Sequence, residues 1–348
     1  MTPGPNEQVY PVTKIATIVE RLVSEGVPAT EALAGVSLSL AQLNSPAARV
    51  SANQVLQSYD NAIRLSRDPQ FAYNAGLNFH VSTYGMYGFA LLSCPDFRAT
   101  MAFAMKYHGL AAPLAEIAFK EEGGAGIWTI VPKPYPRVDD RLYKFIVELQ
   151  MAIHLSLHRD VMGTLFCPSE LHFAFARPRA ETNAASAFGC PVLYEQPDNR
   201  LVFDARWLDG RPNLGNAVTY AELCQLCDQL TNDLQLSAGI AGRVRSMILT
   251  DLVRHASFDS IAERLKMSPR SLRRRLQDEG TSFRELFDEV RAQVAIKYVR
   301  DTSLSIEDVT YALGFNDASA LRHAFRRWTG AAPYEFRRAK ANMHSPTV

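Results

Sequence analysis

The 348-residue chain has no run approaching the roughly 18 to 20 uninterrupted apolar residues of a membrane span. Its start, Met1-Thr-Pro-Gly-Pro5, has neither a basic segment nor an apolar core. No secretion signal is therefore expected, and the cytoplasm is the expected location. Cysteine is scarce: Cys94, Cys167, Cys190, Cys224 and Cys227. An odd number without a secretion signal points to reduced thiols. Cys224 and Cys227 form a C-x-x-C with no second pair or histidine cluster, whereas a closed zinc site needs four ligands. In a helical pattern this spacing places two small apolar groups on one face. The chain also lacks G-x-S-x-G, H-E-x-x-H and the phosphate-cradling G-x-x-x-x-G-K-[ST]. Gly123-Gly-Ala-Gly126 lies between two strand-like runs and reads as a turn, not a dinucleotide loop. No catalytic site, metal or cofactor is expected.

Net charge is also nearly absent, with 37 Lys/Arg against 36 Asp/Glu. The average hides an asymmetry. Residues 237–348 carry 19 basic and 13 acidic side chains, net +6, and the remainder carries 18 against 23, net −5. A basic C-terminal part on an acidic body suits a nucleic-acid-binding domain joined to one that does not touch nucleic acid.

The first part reads as α+β. Helical periodicity runs over Val12–Ser24, from Pro28-Ala-Thr30, over Ser51–Leu65 with Ser51 as cap, and in a short stretch through Leu77. Thr83–Leu92 is aromatic and glycine-rich, which suits close approach to another element. Ser93–Tyr107 looks helical, starting near Ser93 or Asp96. Ala115–Lys120 and Ile127–Val131 form a predicted hairpin. Asp139–Arg159 is the longest helical pattern in this half. Leu171–Phe175 reads as a strand and Thr182–Phe188 as a short helix. Val192–Tyr194 and Arg200–Phe203 look like a second hairpin around Pro197-Asp-Asn199. A helix over Thr219–Gln235 carries Leu223, Leu226, Leu230 and Leu234 as a stripe that serves either dimerisation or packing within the domain. Ser237-Ala-Gly239 reads as the linker, and Val244–Arg254 as the opening helix of an all-α domain.

That domain contains one unit twice: a short helix, a tight turn, then a helix dense in arginine. In the first copy Phe258, Ile261, Ala262 and Leu265 form the inner stripe. Ser268 caps the second helix, Pro269 fits its first turn, Leu272 and Leu276 face inward, and Gly280 ends it. Arg270, Arg273 and Arg274 share the outward arc, with Arg275 toward its edge. Ser282 opens a helix to about Val299, with Phe283, Leu286, Val290, Val294 and Tyr298 as its core face. Its roughly 17 residues span about 25 Å. In the second copy Ser305 and Asp308 form a capping box, Val309, Ala312 and Leu313 pack inward, and Gly314 turns the chain. Phe315 plugs the core, Asp317 caps, and Leu321, Phe325 and Trp328 face in. Ala318, Ser319 and Arg322 are placed toward bases, and His323, Arg326 and Arg327 toward phosphates. Two such helices suit successive major grooves of double-stranded DNA. The planar fork of arginine suits guanine O6 and N7, each such pair being worth roughly 1 to 3 kcal/mol of discrimination. The expected DNA contacts are Ser268, Arg270, Ser271, Arg273, Arg274, Arg275, Asp317, Ala318, Ser319, Arg322, His323, Arg326 and Arg327.

Residues 255 to 338 resemble the DNA-binding domain of the AraC/XylS family of bacterial transcription regulators. The resemblance is carried by Ile261-Ala-Glu-Arg-Leu, Ser268-x-x-x-Leu272-x-Arg274, Ile306-x-x-Val309-x-x-x-Leu313-Gly314-Phe315 and Phe325-Arg-Arg-Trp-x-Gly330-x-x-Pro333-x-x-Phe336-Arg337. Lys266 departs from it, standing in the first turn where glycine is frequent. Tyr84-Gly-Met-Tyr-Gly-Phe-Ala-Leu-Leu-Ser93 and the following helix are similar to the sensor domain of the subgroup that includes regulators of ornithine use and virulence. The resemblance implies a small-molecule effector, a homodimer, contact with RNA polymerase and activation of transcription. The implied organisation is a ligand-binding and dimerisation domain over 1–211, a helical linker over 212–239, the DNA-binding domain over 240–340 and a disordered tail over 341–348.

Tyr84, Tyr87, Phe89, Tyr107 and Tyr143, with His108 and His154, are candidates to line an effector pocket; ordinary core packing is the alternative. A repressor, or a DNA-binding domain fused to an alkyl-transfer repair enzyme, is the alternative function. The enzyme would need a nucleophilic cysteine, and Cys94, Cys167 and Cys190 stand alone beside prolines or apolar residues. An interaction protein docking its basic helices on acidic partners is the remaining reading.

Overall fold

The computed structural model describes residues 3–111, 114–178, 184–237, 239–251 and 257–337. The expected tail at 341–348, Ala238 of the linker, Thr182 and Arg254 lie outside the described residues. The chain divides into two compact units, Pro3–Leu234 and Gln235–Val348.

The first unit is α+β. Its helices are α1 (Thr13–Ser24), α2 (Ala29–Ala32), α3 (Leu40–Leu43), α4 (Ala52–Leu65), α5 (Phe71–Leu77), α6 (Gly85–Ser93), α7 (Phe97–Ala111), α8 (Asp140–Met162), α9 (Ala184–Phe188) and α10 (Ala217–Ser237). Ser51 caps α4 in a reciprocal box with Gln54, and Asp139 caps α8 by accepting from the Leu142 amide. α8 is buried over most of its circumference, from Phe145 through Leu155. A helix apolar on all sides belongs inside a core, not on a surface.

Strands β1 (Tyr10–Pro11) and β2 (Arg49–Val50) form a small ladder. Strands β3 (Ala115–Glu122), β4 (Ala125–Pro132), β5 (Glu170–His172), β6 (Val192–Leu193) and β7 (Arg200–Asp204) form one sheet in the order β3-β4-β7-β5-β6. The β3–β4 hairpin closes through Gly123 and Gly124, at φ +60° and +79°. Two left-handed residues in a two-residue loop match the right-handed twist of the strands. The expected second hairpin does not form. β7 pairs with β4 and β5, whereas β6 pairs with β5 in parallel. The reason lies in Asn199. Its buried side chain donates to the Ile130 carbonyl and the Tyr143 hydroxyl and accepts from the Ala174 amide. These bonds tie the turn across the sheet and carry β7 past β5. Pro197-Asp-Asn199 marks a reversal, but a turn signal does not choose the neighbouring strand.

Three other expectations are refined. The glycine-rich stretch is a single 3-10 turn at Val81–Tyr84 followed by α6. A Cβ on Gly88 would lie 1.7 Å from the Val81 carbonyl oxygen, so the turn seats directly on the helix there. The helix expected from Ser93 begins instead at Phe97, and Asp96 accepts from the Ala99 amide at 2.7 Å. The stripe on α10 splits. Leu223 and Cys227 are buried in the first unit's core, whereas Leu226 and Leu230 are 42% and 44% exposed.

Among its described residues the second unit is all helical: α11 (Gly239–Thr250), α12 (Phe258–Arg264), α13 (Pro269–Asp278), α14 (Phe283–Asp301), α15 (Ile306–Ala312) and α16 (Ala318–Thr329), with a last helical turn at 333–337. One core joins them, from Val244 and Ile248 through Ile261, Leu272, Leu286, Val299 and Val309 to Phe325. On α14 the deepest residues are Leu286, Val290, Ala295 and Val299, while Val294 and Tyr298 are half-buried at its edge.

Candidate nucleic-acid interface and effector cavity

Both helix-turn-helix units use the same local chemistry. Ser257, Ser268, Ser305 and Asp317 cap α12, α13, α15 and α16, each accepting from an amide three residues on. After α12 the Met267 amide bonds the Ala262 carbonyl at 2.9 Å, and after α15 the Phe315 amide bonds the Thr310 carbonyl at 3.0 Å. Each six-residue closure needs a left-handed residue. Gly314 supplies it at φ +66° and Lys266 at φ +53°. The lysine therefore keeps the turn that a glycine would make, at a conformational cost of roughly 1 to 2 kcal/mol.

The buried Leu272 and Leu276 fix how α13 is rolled. At about 100° per residue, Arg274 lies opposite them and Arg270 within about 40° of it. Arg270, Arg274 and Arg275 are exposed and make no hydrogen bond or ion pair among the described residues. Arg273 is exposed but flanks the arc, its guanidinium 5.4 Å from the Phe258 ring centroid. Ser268 is exposed, and its hydroxyl is 2.9 Å from that of the half-buried Ser271. Gln277 is exposed on the arc of Arg270, a position the sequence reading passed over.

On α16 the buried Leu321, Ala324 and Phe325 leave Ser319, His323 and Arg326 outward. Asp317 is exposed, and Ala318 is half-buried. Arg322 lies 3.9 Å from Glu307, and Arg327 pairs with Asp288 of α14 at 3.1 Å. Arg327 thus also braces the reading helix.

Two further arginines hold the scaffold. Arg291 of α14 lies between the Phe287 and Phe315 rings, 4.4 and 4.5 Å from their centroids, and donates to the Gly314 carbonyl at 2.9 Å. It clamps the second turn to the long helix. Arg337 donates to the Val299 and Leu304 carbonyls. Nothing in the residue types separates these arginines from the reading ones; only the fold does. Arg291→Ala is expected to destabilise the second unit by about 2 kcal/mol, from two lost cation–π contacts and an orphaned carbonyl. Chemical unfolding measures this, with the Trp328 signal taken as the difference from a Trp328→Phe control that retains Trp128 and Trp207. Full recovery in Arg291→Lys would show that charge alone matters.

In the first unit an apolar cavity of about 40 Å³ lies among α6, α7, α8, β3 and β4. Tyr84, Tyr87, Phe97, Trp128, His108, His154 and His158 contribute its rings, and Gln150 and Thr100 its polar side chains. The other proposed lining residues lie elsewhere. Phe89 is 50% exposed on α6, and Tyr143 accepts from Asn199. Tyr107 is buried against α10: its hydroxyl donates to Asp228 at 2.8 Å and accepts from Lys106. Trp128, His158 and Gln150 were not expected at the cavity. They come from β4 and from a face of α8 that reads as plain core.

The three histidines are held neutral by burial, which pushes His108 and His158 down to about 3 and His154 to about 4. His154 Nδ1–H donates to the Gln150 carbonyl at 2.8 Å, and His158 Nδ1–H to the His154 carbonyl. His158 Nε2 then accepts from Trp128 Nε1 at 3.1 Å. Among the described residues no three His, Cys, Asp or Glu side chains gather as a metal set. Burial raises the Cys94 and Cys190 thiols to about 12 and Cys227 to about 11, far from the thiolate that a nucleophile needs. No helix is long and apolar enough to cross a membrane among the described residues.

Residues 26–212 match the arabinose-binding domain found at the N-terminus of AraC transcription regulators, and residues 261–339 match a helix-turn-helix domain. A helix-turn-helix-type transcriptional regulator of Mycobacterium tuberculosis is 29% identical over 358 residues, covering 97% of this chain and 98% of its own. The ornithine utilization regulator of Pseudomonas aeruginosa is 28% identical over 335 residues, covering 95% and 97%. Among solved structures, the transcriptional regulator CdpR of Pseudomonas aeruginosa is 25% identical over 81% of this chain and 90% of its own, with a TM-score of 0.44. The matched domains and the paired turns agree: this chain is a DNA-binding transcription regulator and belongs to the AraC family.

Proposed function

We infer that the protein is a cytoplasmic, effector-responsive activator that binds its operator as a homodimer and contacts RNA polymerase. Arg270 and Arg274 read bases from α13, with Ser319 and Arg322 doing so from α16. Arg275, His323, Arg326 and Arg327 meet phosphates. The observation that carries the sensing role is the link between cavity and exit helix. His108, Thr100, Met101 and Ala104 of α7 line the cavity, and Tyr107 and Lys106 of the same helix bond Asp228 of α10. A ligand that displaces α7 therefore acts on the helix with which the first unit ends. It shifts DNA binding only by its difference in affinity for the two arrangements. The exposed Leu226 and Leu230 on α10 support a self-association surface. Run-off transcription tests the reading. With a promoter carrying a site selected by the purified protein, and with purified bacterial RNA polymerase, added protein is expected to increase transcript several-fold. A decrease would make it a repressor.

A further inference from the structure

The cavity of the first unit carries polar groups that the fold leaves unused. None of the described side chains lining it is an acid, a lysine or an arginine. Gln150 and His154 lie one turn apart on α8 and are each 7% exposed. His154 Nδ1–H donates to the Gln150 carbonyl at 2.8 Å, which leaves Nε2 with a lone pair and no partner among the described residues. Gln150 Nε2 lies 3.3 Å from the same Nδ1, which bears the proton and cannot accept. The Gln150 amide N–H groups therefore have no acceptor among the described residues. His108 donates from Nε2 to the Ala115 carbonyl at 2.8 Å, and Thr100 donates to the Asp96 carbonyl at 3.2 Å. Toward an occupant, both offer only lone pairs. The hydroxyls of Tyr84 and Tyr87 can serve in either role.

Buried polar groups without partners cost stability, and an occupant that pairs them removes the cost. The signs of these groups narrow its chemistry. A carboxylate oxygen would face the lone pairs of His154, His108 and Thr100. An ammonium would find no carboxylate in the lining. A sugar would leave most of its hydroxyls against Leu91, Met101, Ile153 and Val161. One neutral hydroxyl meets both needs, since it donates to His154 Nε2 and accepts from Gln150 Nε2. Because Gln150 Nε2 is 3.3 Å from one ring nitrogen of His154, the other is near enough for a single oxygen to bridge the two groups.

We propose that the cavity takes a small neutral alcohol or phenol, its apolar body among Tyr84, Tyr87 and Trp128 and its hydroxyl bridging Gln150 Nε2 and His154 Nε2. This rests on the reading of the cavity as the effector site and names its ligand class. At about 40 Å³ the closed cavity holds only a few waters, so the occupant is small and enters by parting α6 and α7.

Full-length protein is titrated calorimetrically at pH 7 with phenol, toluene and benzoate, which share a ring and differ in carrying a hydroxyl, a methyl or a carboxylate. Wild type is expected to bind phenol at least about tenfold more tightly than either, although toluene is the more apolar, because a probe without the hydroxyl leaves the buried groups unpaired. Gln150→Leu and His154→Phe remove the donor and the acceptor and put apolar groups of similar size in their place, so both are expected to fold. In each, the phenol preference over toluene is expected to fall at least severalfold. Toluene or benzoate binding wild type as tightly as phenol, or a phenol preference undiminished in either folded variant, overturns the hydroxyl assignment and leaves the cavity as a binding site. Binding of none of the three probes overturns both.

Discussion

Replacing Arg270 and Arg274 together with alanine is expected to weaken binding to a selected operator by two to four powers of ten. Each bidentate arginine–guanine contact contributes roughly 1 to 3 kcal/mol of discrimination, and about 1.4 kcal/mol is tenfold. Binding to scrambled DNA loses only the electrostatic share of two charges, with the salt slope falling by about 2 at most. The two curves therefore converge. The expectation follows from the roll of α13: Leu272 and Leu276 are buried, so their opposite face must carry Arg274 and Arg270. Arg273 is the internal control, because its guanidinium lies over Phe258 at the flank. Arg273→Ala is expected to lower affinity with little change in base choice. Competition binding on selected and scrambled duplexes decides the matter. Equal losses on both for the double variant would move Arg270 and Arg274 from bases to phosphates.

Much of the reading domain was legible because its signals are local. Ser268-Pro269, Ser305 with Asp308, and Asp317 announce helix starts within three residues, and each forms as its residue type demands. Lys266 shows where local reasoning runs short. A lysine by its own residue type gives no warning of the left-handed φ of +53° it adopts; the signals are the glycine frequent at that place in the family it resembles and Gly314 in the equivalent place of the second copy. The sensor unit was legible in its elements but not in their pairing. β3 and β4 are joined by two glycines, whereas β7 reaches β4 and β5 through Asn199, and those partners lie 69, 56 and 25 residues away in sequence. The cavity was half legible. Tyr84, Tyr87, His108 and His154 face it, but so does Trp128, and Tyr107 turns away to Asp228. Aromatic clustering indicates a core; which rings border a void depends on helix roll, set by contacts distant in sequence.

The first unit is expected to lose stability steeply as pH falls from 7.5 to 5.5. His108, His154 and His158 are buried and neutral, with folded values of about 3 to 4. The unfolded chain takes the same protons near pH 6.5. A lowered folded value means that the stabilising contribution is complete above about 6.5 and is lost as pH falls, because protons then bind the unfolded chain preferentially. At pH 5.5 each ring costs roughly 1.4 kcal/mol, so three together cost about 4 kcal/mol at most. Most carboxylates titrate below this window, and the one raised by burial, Glu148, acts in the opposite sense and offsets part of the loss. Lys14 does not reverse the trend, since its folded value of about 7 leaves it largely protonated in both states across most of the range. A Trp328→Phe background confines the tryptophan signal to the first unit, where Trp128 and Trp207 lie. Urea unfolding in that background is expected to show the midpoint falling with acid, and His108→Gln is expected to remove about a third of the fall. Glutamine can still donate to the Ala115 carbonyl but takes no proton. A midpoint that holds between pH 7.5 and 5.5 would mean that acid opens the unit locally and hydrates the rings. The same opening would then expose the cavity at low pH.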